Sequence, residues 1–441
     1  MHPIVTQSTH ARARPGIGAA LSGPAAIGLI LLALGLRAPE LGAQVRVEDA
    51  ATRSDRSTFA ASTEAFRPDT VLTPRGGPQL IRLSAPGSGL TTLRLSIPLE
   101  ETPIEAGTGL MLQMLGLDRA RAAATTLGVR VEGSRTPWGI AYTVVGPSEE
   151  FDYLAFLLRE AVAEPRPDRV ELERARARAV EESLRTTETG GGRLATELRA
   201  AAIPGAIPLA GTPTTLAGVT DATLRDLWRR SHRREVMSLV MVGPEPLELV
   251  LASFEDVGSG ARSSGLPPTT RTVREPPATR PEVLRHWYGE ARVVGDVHDP
   301  RGAVVAALVS RKLRETRGSF ESDVQLWDIG NVRVLVVTGT SYPAGAAIMR
   351  RRVQGILAEA TSAIRSEEVA PAVSALRFEL LAAARTPWGL AQQVGRYLDA
   401  TGEPDAAYQN VLALDRVNPD VIRLYVADLQ RRPPATAELR P

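Results

Sequence analysis

Residues 92–117 read TLRLSIPLEETPIEAGTGLMLQMLGL, and this stretch passes from one periodicity to another. Its first part alternates, which places Leu93, Leu95 and Ile97 on one face of a half-buried β-strand. The segment EETPIEAG then provides a turn and a helix start, and the rest has helical character. The stretch predicts a strand that leads directly into a helix, and the apolar run of that helix is interrupted by one amide, Gln113.

Composition limits the class of protein. The chain has 441 residues, which at roughly 150 residues per domain predicts two or three domains. The absence of cysteine excludes disulfides, thiolate zinc sites and cysteine nucleophiles. The 52 basic and 50 acidic residues nearly balance, which argues against a protein that binds nucleic acid.

The N-terminus has the pattern of an export signal. Arg12 and Arg14 precede an apolar run at 25–36 that is too short to span a bilayer. We predict a signal peptide over 1–43, removed after Ala43, and an exported protein in the periplasm or envelope of a bacterium. An uncleaved membrane anchor is the alternative, and this segment is the only membrane contact we expect.

The remaining chain divides into two parts of similar element order. We predict a flexible lead-in over 44–78, a first domain over 79–254, a linker rich in Ser, Gly, Pro and Thr over 255–281, and a second domain over 282–436. Both parts begin with strands and a helix and end in several helices.

One local similarity supports a repeat. The segments 184–198 and 383–394 each contain a helix end, a break of small residues, and Leu-Ala at the start of the next helix. The pentapeptide RTPWG also occurs twice, at 135–139 and 385–389, but we place it on a hairpin in the first copy and between helices in the second. We therefore do not count it as part of the repeat.

Several stretches together are similar to the insulinase/pitrilysin-like peptidases, the inverzincin group, and in particular to their two-domain, processing-peptidase-like members. They are LGVRVEGSRTPWGIAYTV, LAGTPTTLAGVTDATLRDLWRRSHRREVMSLVMVGP, SRKLRETRG, RTPWGLAQQVGRYLDATGEP and VNPDVIRLYVADL. The resemblance covers roughly 80–435. It implies an α+β fold of two homologous domains, each with a mostly antiparallel sheet and helices packed on one face.

Active members of this family carry H-x-x-E-H on the first helix, with two histidines as zinc ligands and the glutamate as general base. The resemblance places the two ligands at Leu110 and Met114 and the base at Gln113. An amide cannot accept a proton at neutral pH, leucine has no donor atom, and a thioether is a poor zinc ligand. We therefore predict that the zinc site is lost and that no cofactor binds.

The family's third ligand, a glutamate further along the chain, corresponds to Glu182, with Glu181 as the close alternative. One glutamate does not hold zinc, because such sites need three or four ligands. In the second domain the family supplies an arginine and a tyrosine to the substrate. Arg314 matches the arginine, but Glu321 stands at the tyrosine position, and of the family's glycine-rich loop only Gly302 is present.

We therefore interpret the chain as a catalytically inactive homologue. It would serve as the non-catalytic subunit or peptide-binding scaffold of an exported complex, with a related active peptidase as partner and an extended peptide as ligand. A homodimer is the alternative assembly. The alternative functions are an active zinc metalloendopeptidase with unrecognised ligands and a structural envelope protein.

Overall fold

The computed structural model describes residues 63–441, except 86, 125–127, 247, 250–251, 253–284, 316–319, 362–363 and 365. The predicted signal peptide and the predicted linker lie outside the described residues. In the part of the chain that is described, no helix is both long enough and apolar enough to cross a membrane.

The first half contains a six-stranded sheet with the strand order β1-β2-β6-β3-β5-β4. Neighbouring strands are antiparallel except β2 and β6, which are parallel. The strands are β1 (Thr70–Leu72), β2 (Gln79–Leu83), β3 (Leu90–Pro98), β4 (Arg130–Thr136), β5 (Gly139–Pro147) and β6 (Ser238–Val242). The helices of this half are α1 (Thr108–Ala123), α2 (Phe151–Val162), α3 (Arg169–Glu188), α4 (Gly190–Ala202), α5 (Pro213–Ala217) and α6 (Asp221–Ser231).

The second half contains a four-stranded antiparallel sheet with the order β10-β7-β9-β8. Its strands are β7 (His286–Asp296), β8 (Glu321–Ile329), β9 (Val332–Ser341) and β10 (Ala435–Leu439). Its helices are α7 (Pro300–Glu315), α8 (Ala346–Thr361), α9 (Ser366–Ala383), α10 (Pro387–Thr401), α11 (Ala406–Leu414) and α12 (Pro419–Arg431). Two mostly antiparallel sheets with packed helices confirm the predicted α+β fold.

The alternation in β3 builds the core of the first half. Leu93, Leu95 and Ile97 are almost completely buried and belong to one apolar cluster with the inner residues of α1 and α2. Burial of apolar surface at about 25 cal/mol per Å² is the main force that holds α1 against the sheet. The segment 92–117 is therefore a strand followed by a helix, as its periodicity predicts.

The other face of β3 differs from the prediction of a half-buried strand, because seven consecutive residues are buried. Its polar side chains face α10, which comes from the second half. Arg94 Nη2 lies 2.6 Å from Asp399 Oδ2, and Arg94 Nε donates to Gln392 Oε1 at 3.3 Å. The polar face of β3 is thus covered by polar side chains of α10 and is not exposed to water.

The two halves exchange one helix each. While α10 covers the polar face of the first sheet, α4 packs on the second sheet, where Leu194 and Leu198 meet Ala291, Val334 and Val336. These helices follow the small-residue breaks within 184–198 and 383–394, so the similarity found in the sequence marks equivalent elements.

The RTPWG repeat has a local explanation. In both copies a threonine hydroxyl accepts the N–H of the glycine three residues later, Gly139 to Thr136 at 3.1 Å and Gly389 to Thr386 at 3.0 Å. The first copy closes the β4–β5 hairpin and the second starts α10. The same local turn is used in two unrelated places, as we expected.

The predicted lead-in over 44–78 is folded in its described part. Phe66 is completely buried against α10 and α11, and β1 pairs with β2. The segment is mostly polar, but it contains Phe66, which packs in the core, and the short strand β1. The prediction of a flexible segment is therefore wrong for 63–78.

Candidate functional site

The motif positions lie in the first two turns of α1, whose start is fixed by a buried ion pair. Glu101 Oε1 accepts the N–H of Gly109 at 2.7 Å, and Glu101 Oε2 accepts from Arg135 Nη2 at 2.9 Å. A carboxylate at a helix N-terminus satisfies a free N–H and interacts favourably with the helix dipole. Because Arg135 belongs to β4, this pair also fixes the helix relative to that strand.

Leu110 and Met114, which the resemblance matches to the two histidines, are apolar residues that lie in apolar surroundings. Leu110 is 8% exposed and belongs to the core of the first half, and Met114 packs against the same core. Neither position offers a nitrogen or oxygen donor. The residues present do not fit a zinc ion.

Gln113 is 5% exposed and points to the edge of the sheet. A Cβ atom built on Gly133 of β4 would lie 2.5 Å from Gln113 Nε2, so the amide occupies the space that a side chain at 133 would need. Within the described residues this amide forms no hydrogen bond. The nitrogen and oxygen of the amide are not among the fully enclosed polar atoms that lack a partner, so they remain accessible to water or to a ligand.

The strand beside Gln113 is the edge of the first sheet. Among the described residues β4 pairs with β5 only, and no described strand adds to its other side. The carbonyl of Val131 accepts from Arg121 Nε at 3.4 Å, so this carbonyl faces the free side of the strand. Near the start of β4, the Arg130 guanidinium lies 4.7 Å from the ring centroid of Trp388, which ties the edge strand to α10.

A buried tyrosine supports the helix at the motif, and sequence reasoning missed it. Tyr142 Oη lies 3.3 Å from the carbonyl of Leu112 and 3.4 Å from that of Gln113. Burial raises the pKa of Tyr142 far above its usual value, so this hydroxyl stays protonated and donates. The alternating pattern of β5 predicts on which face of the sheet Tyr142 lies, but it does not predict the carbonyls to which Tyr142 donates.

Glu181 and Glu182 lie on α3, and both pair with Arg185. Glu181 Oε1 is 3.5 Å and Glu182 Oε2 3.3 Å from the guanidinium, and their side chains are 73% and 36% exposed. The buried face of α3 consists of small residues, namely Ala175, Ala179 and Ser183. No group of three or more His, Cys, Asp or Glu that could hold a metal ion occurs among the described residues.

The two second-domain positions lie on either side of 316–319. Arg314 is exposed near the end of α7, and Glu321 is exposed at the start of β8. The Glu321 carboxylate pairs with Arg285 Nη1 at 2.8 Å. Glu321 thus presents an anionic group, already paired, at the position that the sequence resemblance matches to a tyrosine.

The three histidines after the signal segment are separated from one another. His232 is completely buried beside Trp228, its Nδ1 lies 2.9 Å from Ser231 Oγ, and burial lowers its pKa to about 3. His286 pairs with Glu438 at 2.6 Å, and His298 is exposed. Each of the two buried histidines, His232 and His286, thus has a side-chain partner.

Sequence comparison finds no relatives. No family model matches the chain, and no curated protein sequence matches it. The similarity to known proteins is therefore structural.

Solved structures supply the comparison. A protease from Helicobacter pylori superimposes with a TM-score of 0.71 at 13% identity, over 85% of this chain and 100% of that chain. An inactive domain of an M16 peptidase from Pseudomonas fluorescens gives a TM-score of 0.67 at 12% identity, over 82% of this chain and 94% of that chain. The chain has the fold of the M16 peptidases.

A chain of Complex III2 from Candida albicans, solved with Inz-5 bound, is similar in fold as well. Its TM-score is 0.66 at 9% identity, over 84% of this chain and 95% of that chain. The resemblance to the insulinase-like family inferred from the sequence is confirmed for the fold. At these identities the likeness concerns the M16 fold alone, and the function has to be argued from the site.

Proposed function

We propose that this protein is a non-catalytic M16-like subunit that holds an extended peptide on β4 within an exported complex. The observation that carries the proposal is the Gln113 amide, which stands at the position of the family's catalytic carboxylate. It is buried, lacks a partner among the described residues, and lies against Gly133 of a free edge strand.

The chemistry of the site favours binding over cleavage. An M16 peptidase needs a metal-bound water and a carboxylate that accepts its proton. Leu110 and Met114 give zinc no adequate donor, and a glutamine in place of the carboxylate is not a base at neutral pH. The carboxylates of Glu181 and Glu182 are paired with Arg185.

The same site suits a peptide backbone. An extended chain can add to the free side of β4 through main-chain hydrogen bonds, as in other cases of strand addition. Gly133 leaves room for the Gln113 amide beside the strand, and an amide both donates and accepts hydrogen bonds, like the peptide group itself. Gln113 would obtain from the bound peptide the partners that it lacks in the free protein.

Replacing Gln113 by leucine separates binding from stability. Gln113→Leu removes an amide to which no described residue is bonded, so we expect the free energy of unfolding to stay within about 1 kcal/mol of the unaltered value. Binding of fluorescein-labelled, reduced and carboxymethylated α-lactalbumin, a permanently unfolded chain, should weaken by about tenfold. Urea unfolding and fluorescence anisotropy measure the two quantities.

The matched control is Gln409→Leu on the exposed surface of α11, which removes only an exposed bond to Asp405 and should change both quantities little. If the unfolded chain binds Gln113→Leu as tightly as the unaltered protein, the amide is not part of a peptide site. If the unaltered protein does not bind this probe at all, the proposal of a peptide scaffold is wrong.

The partner and the compartment are further parts of this proposal. The Arg12/Arg14 flank and the apolar run at 25–36 support export, and a chain of Complex III2 with the same fold supports a role in an assembly. We propose a hetero-oligomer with a related exported peptidase that retains H-x-x-E-H. Isolation from the native host should recover both chains together. A protein that is isolated alone, and that leaves the turnover of a co-expressed active relative unchanged, contradicts the subunit role.

A further inference from the structure

The two halves present equivalent edge strands with different free sides. β4 and β8 each follow the first helix of their half, each pairs with the next strand along the chain, and each lies at the edge of its sheet. On the free side of β4, the Val131 carbonyl accepts from Arg121 Nε at 3.4 Å. On the free side of β8, a backbone N–H donates to a side chain of the strand itself.

The group that closes β8 is the carboxylate of Asp323. The backbone N–H of Val324 donates to Asp323 Oδ1 at 2.9 Å. Successive residues of an antiparallel strand direct their N–H groups alternately to its two sides. An N–H directed at β9 would bond within the ladder, so we infer from the side-chain bond that the Val324 N–H faces the free edge. Asp323 therefore occupies the donor that an added strand would need.

Two further side chains hold the carboxylate in place. Gln325 Nε2 donates to Asp323 Oδ2 at 2.6 Å, and Trp327 Nε1 donates to Gln325 Oε1 at 2.8 Å. The Trp327 ring packs in the apolar cluster of the second sheet, and the Arg199 guanidinium lies 5.4 Å from its centroid. The three side chains form one hydrogen-bonded row along β8, anchored by a packed indole.

The sequence of β8 indicates which strand would otherwise add. An antiparallel pair of two β8 strands centred on Gln325 places Val324 opposite Leu326 of the second copy. On either side of these residues, Asp323 would face Trp327 and Glu321 would face Ile329, so no like charges meet. An unprotected strand of nine residues with this pattern is suited to pairing with itself.

We propose that Asp323 closes the β8 edge against a second copy of this chain and so prevents edge-to-edge dimerisation. This inference does not depend on the proposed peptide site.

The experiment compares three full-length variants by sedimentation velocity over a wide range of protein concentration. Asp323→Ala removes the acceptor, and we expect a dimer at least about tenfold tighter than that of the unaltered protein. Asp323→Asn keeps an oxygen acceptor for the Val324 N–H and should behave like the unaltered protein. Asp152→Ala, which removes an exposed charge from α2, is the control for charge and should also do so.

Each outcome decides a part of the inference. If Asp323→Ala stays monomeric wherever the unaltered protein does, the inference is wrong. If Asp323→Asn dimerises as strongly as Asp323→Ala, the charge protects the edge and the hydrogen bond does not. Hydrogen exchange gives an independent test, because the Val324 amide should exchange faster in Asp323→Ala than in the unaltered protein. An equal rate in the two proteins contradicts the hydrogen-bonded cap.

Discussion

Replacing Arg94 by methionine should lower the free energy of unfolding by about 3–5 kcal/mol, because it leaves a buried carboxylate without its counter-charge. The guanidinium of Arg94 contacts Asp399 at 2.6 and 3.3 Å, and the two side chains are only 3% and 5% exposed. A Cβ atom on Gly395 would lie 2.1 Å from Arg94 Nη1, so α10 has a glycine where the arginine needs room. The pair joins β3 of the first half to α10 of the second. Urea unfolding of the full chain measures the loss.

Two further variants show whether the pair acts as a unit. The double variant Arg94→Met/Asp399→Leu removes both charges and should recover most of the lost stability, since well-packed apolar residues can replace a buried ion pair. Arg423→Met breaks an exposed pair with Asp420 on α12 and should leave the unfolding midpoint unchanged. If Arg94→Met is no more harmful than Arg423→Met, the halves are not held together by this ion pair.

Replacing Gly116 by alanine should be the other strongly destabilising change, with a loss of about 2–3 kcal/mol. A Cβ atom at this position would lie 2.2 Å from the carbonyl oxygen of Ala161 and 2.4 Å from Tyr142 Oη. α1 would have to move away from α2 and β5, and Gln113 with it. Thermal or urea unfolding measures the effect.

A second helical glycine supplies the control. Gly355 of α8 is exposed, and a Cβ atom there would meet no atom within 4 Å. Gly355→Ala should therefore raise stability by up to about 1 kcal/mol, since alanine favours a helix over glycine. A stabilising effect at both positions would show that α1 does not pack as closely as the structure indicates.

The elements that depend on local pattern could be predicted from the sequence. The alternation in β3 and the equivalent breaks near 190 and 386 predicted the right elements, because periodicity and helix starts are local properties. The order of the quoted stretches added the two-domain M16-like fold.

The partners of polar residues could not be predicted in this way. Arg94 alternates with leucines, and such an arginine indicates a face in contact with water. In the folded chain its partner is Asp399, 305 residues away. The pattern of one strand cannot show whether a polar residue meets water or a distant carboxylate. The sequence therefore did not predict that α10 covers the polar face of the first sheet or that α4 packs on the second.

The candidate site shows the same limit. The resemblance predicted which positions would have lost their chemistry, and it placed Leu110, Gln113 and Met114 on one helix. It gave no indication that the Gln113 amide lacks a partner or that it lies against Gly133 of an edge strand. Likewise, Asp323 is one acidic residue among several in the sequence, and only the strand order shows that it lies on an edge strand, β8.

The zinc content of the purified, unaltered protein tests the central claim most directly, since that claim is a site that holds peptide without metal-dependent chemistry. Elemental analysis should be made after exposure to zinc and exhaustive dialysis. Because Leu110 and Met114 provide no adequate ligands and Glu182 is paired with Arg185, the account predicts no stoichiometric zinc. One zinc atom per chain, lost on substitution of Glu182→Gln, would contradict it.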